Sequence, residues 1–147
     1  MVIDNVEDTY LNLTVKVLRM FKWVQRTCPL VKFVLKLDDD VHLNLLKFLH
    51  YLGTVSGRPL EAENLVGGYH YMNKTPVRTV DPPYGKWFAP PEVWADESYP
   101  DFIGGPAYVL GAGALHKIYN ASLSRPLLHL EDVFVSIHLL LILKYLT

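Results

Sequence analysis

Cysteine is nearly absent: Cys28 is the only one in 147 residues. No disulfide closes within this sequence, so Cys28 is either free or paired with a residue outside it. An excess of charge is missing too, with 14 Lys and Arg against 15 Asp and Glu for a net −1. That balance gives no electrostatic case for nucleic acid or an anionic membrane surface. Long hydrophobic runs are also missing. The greasiest stretch, Val133 to Leu146, is broken by Ser136, His138 and Lys144. It falls short of the roughly 20 apolar residues needed to span a bilayer, so it reads as a core helix. Met1 to Asp8 has no basic stretch followed by an apolar run, so no leader is visible there. No repeat or low-complexity tract occurs. What is present is a chain half hydrophobic and one-fifth charged. That is the balance of one modest domain that buries a core and not of a disordered segment.

Along the chain, Leu13, Val17, Met20, Phe21 and Val24 fall at helical spacing, and Pro29 ends that helix. Val31 to Leu37 alternates apolar residues with Val34 between them, which predicts a mostly buried strand. The strand runs directly into Asp38-Asp39-Asp40. A helix is expected from about Leu43 to Leu52, closed by Gly53. Leu65 to Tyr69 reads as a short strand with glycine at a close backbone approach. Six prolines between Pro76 and Pro100 exclude long regular elements, while Tyr84, Trp87, Phe88, Trp94 and Tyr99 argue for an ordered loop lining something. Ala107 to Leu110 reads as a strand, Gly111 to Tyr119 as a helix, and a last helix starts at Glu131. This order predicts an α/β domain with a mixed sheet, its ligand beyond the carboxyl ends of the strands.

Three adjacent carboxylates at the mouth of a buried strand repel one another unless water or a cation neutralises them. A hard divalent cation with oxygen ligands is the natural partner. On an extended backbone Asp38 and Asp40 face the same way and Asp39 the opposite way. The competing reading is that Asp39 or Asp40 caps the next helix and the others are solvated. Glu131 and Asp132 likewise suit the start of a helix through its dipole. Gly104-Gly105 before Pro106 reads equally as a turn. His42, His50 and His129 have no metal-ligand spacing and read as surface or half-buried histidines. Sequons stand at Asn12, Asn73 and Asn120, with Pro76 weakening the middle one. Asn12 and Asn120 are the candidate N-glycosylation sites.

Several segments together carry a resemblance. Asp8-Thr9-Tyr10-Leu11-Asn12-Leu13-Thr14-Val15-Lys16 resembles a "DSYxNLTxKT" segment, and Trp23 with Cys28 resembles its "W…C". Lys36 to Val41 with Asn44 looks like "KxDDDVFxN". Lys86-Trp87, Tyr99-Pro100-Asp101-Phe102, Gly104-Gly105 and Tyr108-Val109-Leu110 look like "KWxV…YPxYxxGxxYVLS", and Glu131-Asp132-Val133 like "EDV". In order and over nearly the whole chain, these resemble the β-1,3-galactosyl- and N-acetylglucosaminyltransferases of glycosyltransferase family 31.

The resemblance implies a GT-A-type nucleotide-sugar transferase fold. It also implies a UDP-sugar donor, Mn2+, inversion to a β-1,3 bond, and an acceptor glycan on glycoprotein or glycolipid. It implies the Golgi lumen, on a type II anchor absent from this sequence. By resemblance Asp40, with Asp38, ligates the metal, and Asp38 and Asp39 hold the ribose or metal-bound water. Asp132 is the general base, and Glu131 raises its pKa or binds the acceptor sugar. Trp87 offers a face to a sugar ring, and Gly104-Gly105 lets backbone approach the donor. The family's strand and helices before "DSY" have no counterpart here. Ser136 stands where the family has glycine, and no downstream histidine ligand is clear. Residues 1–147 are therefore read as one partial catalytic domain of low or no transferase activity. A non-catalytic relative kept as a binding domain is the alternative.

Overall fold

The computed structural model describes residues 5–144. Met1 to Asp4, the beginning of the segment read as lacking a leader, and residues 145–147 of the apolar tail lie outside the described residues. A 3-10 turn, Tyr10–Asn12, leads into α1, Leu13–Thr27. Then follow β1 (Phe33–Leu37), α2 (Leu45–Ser56), α3 (Pro59–Glu63) and β2 (Val66–Tyr71). A 3-10 turn at Gly85–Trp87 interrupts the long loop, and β3 (Phe102–Gly111), α4 (Ala112–Ser122) and α5 (Glu131–Lys144) complete the order.

β3 is the central strand of a three-stranded sheet, with β1 and β2 pairing antiparallel on either side of it. The expected mixed sheet is thus antiparallel throughout among the described residues. α5 lies along β3 and α4, and α1 packs across α4 and α5. Val17, Phe21 and Val24 of α1 meet Tyr108, Leu110, Leu115, Ile118 and Val135 in the main core. The helical spacing read in α1 is therefore its buried stripe.

The strand β1 departs from its alternation. Val34 pairs with Leu110 and Lys36 with Tyr108, so these are the residues on the face shared with the core cluster. Leu37 is 37% exposed, while Lys36 is 8% exposed. The apolar series Phe33, Leu35, Leu37 is the other face, and a lysine occupies the inward position.

The expected boundary at Gly53 is also displaced. α2 runs through it to Ser56, with Thr54 and Ser56 hydroxyls donating to the Tyr51 and Leu52 carbonyls in the last turn. An interior glycine weakens a helix by about 1 kcal/mol without breaking it. At the other end the Asn44 side chain, and neither Asp39 nor Asp40, accepts from the Lys47 amide at 3.0 Å. Asn44→Ala is expected to cost about 0.5–2 kcal/mol of stability, read from urea denaturation.

The proline-rich loop is ordered, as its aromatics implied. Ala89 and Tyr99 are buried with Leu128, Leu130, Val133 and Phe134 beneath α5. Arg78 donates to the carbonyls of Ala89 and Asp96, and Tyr99 N donates to Lys74 O at 2.8 Å. The start of the apolar stretch after Glu131 lies in α5 and in the core, with Val133, Phe134 and Val135 each at 2% exposure or less. No helix among the described residues is long and apolar enough to cross a membrane.

Candidate functional site

The C-terminal end of β1, the first half of β3 and the N-terminus of α5 converge on one group of charged side chains. β1 ends at Leu37, Asp38 N donates to Pro106 O at 2.9 Å, and Val41 N donates to Asp38 O at 3.2 Å. That last bond makes Asp38 to Val41 a turn. The chain is therefore not extended through Asp38-Asp39-Asp40, and the expected alternation of the three carboxylates does not apply. Asp39 and Asp40 are exposed, and Asp38 is half-buried.

Lys36 is the hub of the group. Its ammonium group donates to Asp38 Oδ1 and to Gly105 O, the second at 2.5 Å. It lies 4.0 Å from Glu131 Oε2. Tyr108 donates its hydroxyl to Glu131 Oε1. Gly105 N donates to Asp132 Oδ2 at 3.1 Å, and Val133 N donates to Asp132 Oδ1 at 2.8 Å. A side chain at Gly105 would meet Asp132 Oδ2 at 3.3 Å, so glycine keeps that approach close.

Burial sets the proton affinities. Glu131, 2% exposed, is pushed up to about 7 by desolvation, against the hydrogen bond from Tyr108 and the charge of Lys36. Asp132 is raised chiefly by burial as well, against the amides of Val133 and Gly105. Tyr108 is raised well above 10, by burial first and then by Glu131.

Two residues that sequence reasoning gave no role, Lys36 and Tyr108, are thus at the centre of the site. The signal for Lys36 was a lysine inside a strand bordered by apolar residues. Tyr10 is a third. Partial burial and then the charge of Asp132 raise its hydroxyl to about 12. The Lys86 ammonium sits over both rings, 5.6 Å from the Tyr10 centroid and 4.6 Å from that of Trp87. Tyr84 lies 6.1 Å from Trp87, ring to ring. Trp87 therefore belongs to an aromatic rim beside the carboxylates and not to the core.

The structure brings together Asp38, Glu131, Asp132 and Gly105, with Trp87 on the rim beside Tyr10 under Lys86, while Asp39 and Asp40 stand exposed in the adjoining turn. Gly104 is apart from them: it lies in β3, not a turn, and a Cβ there would meet the Tyr71 ring at 2.8 Å. Asn12, whose amide donates to Glu7 O at 3.1 Å, and Asn120, exposed on α4, lie outside this group. His42 and His50 are exposed and His129 half-buried, as read. His138 is buried with Nδ1 2.6 Å from Phe134 O. Ser136, at the family's glycine position, accepts from Ile103 N at 3.0 Å, next to the register shift between β2 and β3.

Among the described residues no three His, Cys, Asp or Glu side chains are clustered as a ready-made metal cage. The donor set suits a cation held by one or two carboxylates and completed by oxygens of a phosphate-bearing ligand.

An α/β domain with acids at a strand end and an aromatic rim has the make-up of a nucleotide-sugar transferase. The chain belongs to the Galactosyltransferase family, whose profile its residues 1–143 match. It is 35% identical over 136 residues to Beta-1,3-galactosyltransferase 1 of Homo sapiens and of Mus musculus, covering 92% of this chain and 40% of theirs. It is 38% identical over 130 residues to Beta-1,3-galactosyltransferase 2 of Mus musculus, covering 88% of this chain and 30% of that protein. The chain thus spans two fifths or less of the length of these curated relatives.

Proposed function

We propose that this protein transfers galactose from a UDP-sugar donor to a 3-hydroxyl of an acceptor glycan, on glycoprotein or glycolipid, with inversion at the anomeric carbon. The observation that carries this reading is Asp132. Its carboxylate is half-buried and its affinity for protons is raised. It is aimed by one backbone amide on each oxygen, and each oxygen keeps a lone pair for a substrate hydroxyl. A carboxylate so held is suited to take the proton of the attacking hydroxyl.

The other residues divide the remaining tasks. Trp87 and Tyr10 present ring faces to a sugar. Glu131 and Gly105 hold the wall behind Asp132. Asp40, with Asp38 and Asp39 nearby in sequence, would hold Mn2+ and the donor's diphosphate end. When bound there, the cation supplies Lewis-acid stabilisation of the departing UDP. The family resemblance supports a Golgi-lumen location for this work, and the exposed Asn120 sequon on α4 is compatible with passage through the secretory pathway.

The test is transfer from UDP-galactose, and from UDP-N-acetylhexosamines for comparison, with Mn2+ present. It is run on this chain and on a chimera that supplies the rest of a relative's length. Galactosyl transfer by the chimera that disappears in Asp40→Ala supports the reading. Mn2+-dependent UDP binding with no transfer by either protein favours the non-catalytic alternative.

A further inference from the structure

We propose that Lys36 is the positioning residue of this site: it locks Asp38, the Gly105 carbonyl and Glu131 into one unit. The proposal rests on the reading of the site given above only for the part played by Asp132.

A lysine at 8% exposure survives only with partners, because an unpaired buried charge is prohibitively costly. Lys36 has them on three elements. Its ammonium group has three donors. One goes to Asp38 Oδ1 at the end of β1 and one to Gly105 O in β3. The third has Glu131 Oε2, at the start of α5, 4.0 Å away. That oxygen has no hydrogen-bond partner among the described residues. The Tyr108 ring completes the enclosure, 5.9 Å from the ammonium to its centroid.

Two consequences follow from this geometry. First, the Gly105 residue that receives Lys36 at its carbonyl donates its own amide to Asp132 Oδ2. Lys36 thereby sets the backbone that aims Asp132, without itself touching a substrate. Second, Asp38 has a full positive charge against one oxygen, so the turn that carries Asp39 and Asp40 is tied through the same lysine to β3 and α5.

The experiment uses the 147-residue chain and its K36M, K36R and D38N variants, each checked for folding by circular dichroism. The carboxyl carbon of Glu131 is titrated by NMR without metal. K36M is expected to move the Glu131 midpoint up by about one pH unit, with K36R close to the parent. D38N is expected to move it down, since Lys36 then faces Glu131 alone. If K36M does not fold, the D38N shift and the K36R rescue carry the same information. A Glu131 midpoint indifferent to both K36M and D38N overturns the role of Lys36. The titration needs no transfer, so a failed transfer assay overturns the proposed function and leaves the titration to decide for or against Lys36.

Discussion

Asp132→Asn is expected to lower galactosyl transfer by a factor of about 10²–10⁴ in the full-length chimera, the usual cost of removing a general base. Asparagine keeps a carbonyl oxygen for one backbone amide but has far too little basicity to accept a proton. The loss therefore falls on kcat, while KM for the donor and Mn2+-dependent UDP binding change little. Asp132 is joined to Lys36, and through it to Asp38, by way of Gly105. The parent's kcat/KM should fall on the acid side with a midpoint above the ordinary carboxylate range, because burial raises Asp132. An Asp132→Asn protein with parental kcat would remove Asp132 from the mechanism and move the search for the base to Glu131.

Glu131→Gln is expected to stabilise the fold at pH 8 by about 1–3 kcal/mol and to flatten its pH dependence between pH 4.5 and 7. Glu131 moves from 4.5 in the free state to about 7 in the fold. A raised value means that the fold favours the protonated carboxyl. Its contribution is complete below pH 4.5 and is lost as pH rises through 7. The full cost of charging it in place is about 3 kcal/mol above pH 7. Part of this is not recovered in the variant, because Lys36 loses a negative neighbour 4.0 Å away. His138 and His129 act in the opposite sense. Burial lowers both below 6.5, so their contribution is present above pH 6.5 and lost as pH falls below it. The measurement is the difference in urea stability between parent and variant across pH 4–8, in which the histidine terms cancel. Equal pH slopes for the two proteins would show that Glu131 is ionised without cost, and the burial argument would fail.

The two predictions separate neighbours. Glu131 is enclosed by Tyr108 and Lys36 and is expected to act on stability; Asp132 is half-buried and is expected to act on turnover. Glu131-Asp132 was legible as an acidic pair at a helix start. Their difference in burial was not, because it depends on which side of α5 faces β3.

The same division runs through the fold. The stripe of α1, the start of α5 and the ordered proline loop were readable because helical periodicity, dipole preference and aromatic content are local properties of a few consecutive residues. Ser136 in place of glycine looked like a break in the pattern. In the fold its hydroxyl takes the Ile103 amide at an irregularity in the β2–β3 pairing, a role a glycine side chain lacks.

By itself the sequence determined the acids at a strand end, the aromatic loop, the acidic start of the last helix and the family they compose. These are matters of residue type and order along the chain. Only the tertiary structure decided which face of β1 is buried, that Asp38-Asp39-Asp40 turns instead of extending, and that Lys36, Tyr108 and Tyr10 belong to the site. The reason is that a strand's inward face is chosen by the register of its partners. Pairing with Tyr108 put a lysine inside, where a carboxylate just past its own strand and another at the start of α5 neutralise it.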